Sequence, residues 1–122
     1  MSEREFTTDW FVGIENDMRD LLTPLIGKPY VSMIEVGSFE GRSTCWFLDH
    51  VLTGHHAHIT CLEPWRPYLD LPAMDWTAVK ERFHRNIVDD SRVSVCSNWG
   101  ALNRYEWNCD GFDAVFVDGS HA

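Results

Sequence analysis

Over residues 9–26 the apolar side chains Trp10, Phe11, Ile14, Met18, Leu21, Leu22 and Leu25 return every three or four positions, with Glu15, Asp17, Arg19 and Asp20 between them. That spacing gathers the apolar set on one side of a helix, so the segment predicts an amphipathic helix that ends near Pro24 and Gly27. The pattern then changes period. Residues 30–36 read YVSMIEV, a β-rich run closed by Gly37, and residues 42–52 resume helical spacing through Cys45, Trp46, Leu48 and Leu52. HITCLEP, from His58, puts Ile59 and Cys61 on one face of a second strand and Thr60 and Leu62 on the other, and stops at Pro64. Residues 75–87 carry Trp76, Val79, Phe83 and Ile87 on a helical stripe, RVSVCSN from Arg92 predicts a third strand, and FDAVFVD from Phe112 a fourth.

The order α-β-α-β-α-β-β predicts an α/β protein of Rossmann-like, doubly wound type: a mostly parallel sheet with right-handed crossovers and helices on both faces. Between Trp99 and Gly111 only ALNRYEW suggests a turn or two of helix. With neither a repeat nor a linker, residues 1–122 read as one domain, made of an N-terminal helical segment (1–29) and a core (30–122).

Composition narrows the function classes. At 44% hydrophobic and 13% aromatic, 122 residues can bury a core, which excludes a disordered chain. Ten basic against nineteen acidic residues leave a net charge of -9, which argues against nucleic acid and anionic membranes as partners. No apolar run approaches the ~20 residues of a membrane span, and MSEREFTTDW lacks the features of a signal peptide, so the expected location is cytoplasmic. Cys45, Cys61 and Cys96 fall inside predicted elements without CxxC spacing and are expected as reduced core thiols; Cys109 precedes a turn. The run GHHAH, with His55, His56 and His58, precedes the second strand and reads as a solvated turn rather than a zinc site. Trp10, Trp46 and Trp76 are expected in the core.

The candidate chemistry lies in EVGSFEG, from Glu35 to Gly41, between a strand and a helix. Gly37 permits a sharp exit from the strand, Gly41 lets the backbone approach a ligand, and the next helix offers free N–H groups. A P-loop needs four residues between its glycines and then Lys, but three stand here, followed by Arg42. A dinucleotide fingerprint needs glycine where Phe39 and Arg42 stand.

MIEVGSFEGRSTCWFL, then ITCLEPW, then FDAVFVDGSH together resemble the class I S-adenosylmethionine-dependent methyltransferases, especially the group whose fourth strand ends in Asp-Gly-Ser/Asp-His. The three blocks run from Tyr30 to His121 and imply the strand order 3-2-1-4; because the resembling proteins continue past the fourth strand, the resemblance also implies an incomplete domain with that strand as an apolar edge. By this resemblance Glu35 lies near the methionine ammonium, and the backbone of Gly37, Ser38, Phe39 and Gly41 lines the cofactor's methionine and ribose. Glu63 accepts hydrogen bonds from both ribose hydroxyls, Trp65 packs on adenine, and Ser97 or Asn98 touches the base edge. Many members carry glycine where Phe39 stands, which narrows the loop. An acidic residue and backbone dipoles suit a sulfonium ligand, which needs no phosphate-gripping Lys.

The resemblance further implies that Asp118 and His121 face the acceptor across the crevice between strands one and four, with His121 as base or acceptor contact. It leaves open a divalent metal (Mg2+) on Asp118, whose plain alternative is a cap on the turn at Gly119. The implied activity is in-line methyl transfer to an oxygen or nitrogen of a small-molecule acceptor. The alternatives are a non-catalytic S-adenosylmethionine-binding or interaction module and another nucleotide-using α/β enzyme. A homo-oligomer is left open, with Phe6, Trp10 and Phe11 read first as helix core.

Overall fold

The computed structural model describes residues 4–7, 10–65, 74–97 and 112–117. The N-terminal helical segment is one stretch with tightened ends: a 3-10 turn at Trp10–Ile14, the helix α1 (Glu15–Leu22), and a second 3-10 turn at Thr23–Leu25. Ile14 offers no side-chain cap, and Pro24 brings no N–H, so both ends close with shorter-range bonds in place of a continued α-helix.

The strands are β1 (Ser32–Val36), β2 (His58–Leu62), β3 (Val93–Cys96) and β4 (Ala114–Val117), all parallel, in the order β3-β2-β1-β4. This is the Rossmann-like arrangement expected. Met33 stands beside both Ile59 and Ala114, and Ile59 beside Val93, so one row of side chains crosses the whole sheet on a single face. The helices α2 (Arg42–His50) and α3 (Trp76–Ile87) link β1 to β2 and β2 to β3. Both crossovers advance in the same direction, so right-handedness puts both helices on the same face, where Cys45 Sγ lies 3.7 Å from the Asn86 carbonyl. On the other face Val115 and Val117 are exposed. The β3–β4 connection, which includes ALNRYEW, lies outside the described residues, as does Cys109.

The core forms under α2. Phe11, Phe47 and Phe116 meet edge-on with ring centroids 5.3–6.2 Å apart, and Trp46 tilts onto Phe11 at 5.4 Å. Phe11, Trp46, Phe47, Trp76 and Phe83 are all buried, and the N-terminal segment shares this cluster through Phe11 and Leu22. Cys45, Cys61 and Cys96 are free thiols, and burial pushes the first up to about 11. Arg92, just before β3, donates from Nη1 to the carbonyls of Leu48 and Leu52, 2.7 Å each, while Asp90 pairs with its other nitrogens. A cation on the unsatisfied carbonyls at the end of α2 fastens that helix to the sheet. Among the described residues no helix is long and apolar enough to cross a membrane.

Candidate functional site

β1 ends in a loop with three left-handed residues: Gly37 at φ 88°, Phe39 at φ 53° and Gly41 at φ 86°. The Gly37 N–H reaches the Leu62 carbonyl at 2.9 Å, continuing the ladder past β1, and Gly41 N–H bonds Ser38 O at 2.8 Å before α2 begins. A Cβ on Gly41 would stand 3.0 Å from Phe83 Cδ2, so the neighbour packed closely against this glycine is α3. Phe39 is the costly member, because a side chain in the left-handed region costs about 1–2 kcal/mol. A clasp offsets that cost. Phe39 N–H donates to Glu63 Oε1 at 2.9 Å, its carbonyl accepts from Trp65 Nε1–H at 2.8 Å, and its ring meets Trp76 edge-on at 5.9 Å.

Three glutamates lie in or against this loop, and each is buried. Glu35, in β1, accepts hydrogen bonds from the Ser43 and Thr44 hydroxyls in the first turn of α2, and Cys61 Sγ lies 3.8 Å away in β2. Burial raises its carboxyl above the usual range, and the hydroxyls pull it partly back. Ser38 Oγ is buried within reach of that carboxyl but makes no well-directed hydrogen bond. Glu63, just after β2, holds the Phe39 N–H on one oxygen and the Trp65 N–H on the other, at 3.1 Å. Glu40 receives the Thr7 N–H at 2.8 Å, the Thr7 hydroxyl at 2.7 Å and Arg82 Nη1 at 2.9 Å.

Of the expected site residues, Glu35, Gly37, Ser38, Phe39, Gly41, Glu63 and Trp65 thus converge on one loop. Trp65 is itself left-handed (φ 47°), and its indole lies against Phe83 and His84, at 5.0 and 5.5 Å, with Lys80 Nζ 5.8 Å from its centre. It is buried beneath α3. Ser97 follows β3 and is exposed; Asn98, Asp118 and His121 lie outside the described residues. The sequence reading missed Glu40, Arg82 and Asn86, along with the Ser43 and Thr44 partners of Glu35. A hydroxyl pair eight and nine residues after a strand-end acid was the one readable signal. His55, His56 and His58 sit at the opposite, amino end of the strands, where His56 stacks on Tyr30 at 5.0 Å. No group of three metal-ligating side chains forms among the described residues.

Carboxylates and backbone amides without a phosphate-gripping Lys suit a ligand that carries both positive charge and hydroxyls. A parallel α/β sheet with such a loop at its carboxyl ends is the scaffold of nucleotide-type ligand sites. The sequence model of the methyltransferase domain matches residues 34–122, from inside β1 onward. The chain belongs to the class I S-adenosylmethionine-dependent methyltransferase family. A comparison with curated proteins finds no match.

Proposed function

We propose that this chain binds S-adenosylmethionine at the carboxyl ends of β1 and β2 and transfers its methyl group to a small-molecule acceptor. The observation that carries this reading is the clasp of Glu63 on the loop of residues 37–41, inside the region matched by the family. When bound, the cofactor supplies an electrophilic methyl on a sulfonium. The chain's own part is positioning. Amides in the first turn of α2 lack helical acceptors and suit the methionine carboxylate, while Ser38 Oγ, buried without a well-directed bond, and the Glu35 carboxyl suit the ammonium end. Glu63, whose two oxygens hold the Phe39 and Trp65 amides, is the carboxylate assigned to the ribose hydroxyls, a side chain able to accept from two donors. Trp65 closes the adenine end and keeps water out, with Ser97 or Asn98 at the base edge. Asp118 and His121 are assigned to the acceptor side, His121 as base or acceptor contact. A divalent metal such as Mg2+, if used, would take Asp118 as an oxygen ligand and would orient the acceptor hydroxyl.

Calorimetric titration with S-adenosylhomocysteine tests the reading, with NAD as control and a Glu63→Ala variant checked for folding by circular dichroism. The expected result is binding by the wild type, a loss of about 1–3 kcal/mol in the variant, and no uptake of NAD. A folded wild-type chain that ignores S-adenosylhomocysteine, or prefers NAD, overturns it.

A further inference from the structure

Residues 4–7 precede the region matched by the family and carry none of the cofactor assignments, yet each is bound to the frame around the loop. Arg4 pairs with Asp49 of α2, with Nη2 3.1 Å from Oδ1. Glu5 gives its N–H to Asn86 Oδ1 at 2.7 Å and takes Nδ2–H on its carbonyl at 2.9 Å, so the amide side chain of α3 mimics a pairing strand. The Arg42 guanidinium lies 5.7 Å from the centre of the Phe6 ring and 5.5 Å from that of Phe11, and pairs with Glu15 at 2.5 Å. Thr7 donates its N–H to one Glu40 oxygen and its hydroxyl to the other.

Glu40 is where these contacts reach the loop. Its carboxylate is fully buried, so it costs free energy in any conformation that lacks donors. Here Thr7 and Arg82 supply them, while the Glu40 carbonyl takes Asn86 Nδ2–H at 2.9 Å. Side chain and carbonyl are therefore both fixed, the first by Thr7 and Arg82 and the second by Asn86, one turn further along α3. Glu40 lies between Phe39 and Gly41, the left-handed pair that sets the course of the loop. Holding the middle residue at both ends restricts the torsions on either side, which the Phe39 side chain would otherwise relax.

We infer that residues 4–7 form a strap that acts through Glu40, a positioning residue, to hold the loop of residues 37–41 in its cofactor-binding conformation. This rests on the proposed function, and the experiment separates the two. Wild type, a chain lacking residues 1–7, Glu40→Gln, Thr7→Val and Thr7→Ser are titrated with S-adenosylhomocysteine, and amide hydrogen exchange is followed at residues 37–41. Deletion, Glu40→Gln and Thr7→Val are expected to raise Kd about tenfold, as when the binding-competent population falls to about a tenth, and to speed exchange in the loop. Thr7→Ser keeps both donors and restores wild-type values. A role in stability alone would lower the unfolding midpoint and leave Kd unchanged while the chain is folded, which overturns the inference. Should Glu40→Gln fail to fold, the deletion and Thr7→Val decide. Should wild type bind no S-adenosylhomocysteine, the functional reading falls, and exchange alone judges the strap: unchanged loop protection in the deleted chain overturns it.

Discussion

The two ends of this parallel sheet are both dense in titratable side chains and treat them in opposite ways. At the carboxyl end Glu35, Glu40 and Glu63 are 0%, 0% and 2% exposed, and each holds at least two donors, at least one of them supplied by another element. At the amino end His55 and His56 stand exposed in a turn, with His56 stacked on an equally exposed Tyr30. The difference follows from what meets at each end. The carboxyl ends of β1 and β2 face the start of α2, where free amides and hydroxyls can satisfy a buried carboxylate. The amino end offers a turn and water. Density of reactive residue types in a sequence therefore does not mark a site; a supply of buried partners does.

The largest effect should come from Glu35. Glu35→Ala strands the Ser43 and Thr44 hydroxyls, both buried, and opens a cavity, for an expected loss of about 3–5 kcal/mol in urea unfolding. A loss under about 1 kcal/mol would mean that the carboxyl end is no more interdependent than the amino end. Glu35→Gln sharpens the same point through pH. Burial raises this carboxyl above its ordinary 4.5, so the folded chain holds the proton more tightly than the unfolded chain. Its contribution is then fully present below the unfolded pKa and is lost as pH rises through the folded one, at no more than about 1.4 kcal/mol per pH unit. The glutamine variant lacks that slope. Its stability relative to wild type should improve as pH rises above 4.5, and a constant difference would show that the carboxyl titrates alike in both states.

Gly41→Ala comes next. The added Cβ meets Phe83 at 3.0 Å on a backbone held at φ 86°, which predicts a loss of about 1–3 kcal/mol by thermal or urea unfolding. Because Gly41 leads into α2, the strain falls on the carboxyl end, and the turn around His56 should keep its wild-type hydrogen exchange.

Much of the frame was readable, for reasons visible in particular elements. HITCLEP ends at Pro64 and the strand runs His58–Leu62; the stripe Trp76, Val79, Phe83 faces the core over Trp76–Ile87. Such periods reflect local backbone geometry and need no partner. Gly37 and Gly41 were readable because sharp turns require left-handed residues. Phe39 and Trp65 were not, since they adopt that region against their side chains, held by bonds between residues 24 and 26 apart in the chain. Glu40 left no local trace either. Its donors come from Thr7 and Arg82, 33 and 42 residues away, and only the folded chain brings them together.

The smallest effect belongs to the amino end. Removing the imidazole in His56→Ala gives up one stacked contact between exposed rings and no buried hydrogen bond, so the expected change is within about 0.5 kcal/mol. His56 adopts φ 58°, and alanine is no better suited than histidine to that backbone, so strain should cancel between them. His56→Gly separates the two contributions: it relieves the backbone and also removes the ring, and should be neutral or slightly stabilising in the same unfolding measurement. A loss above about 1 kcal/mol in either variant would mean that the Tyr30–His56 stack bears on folding as the buried glutamates do, and that the contrast between the two ends is one of exposure only.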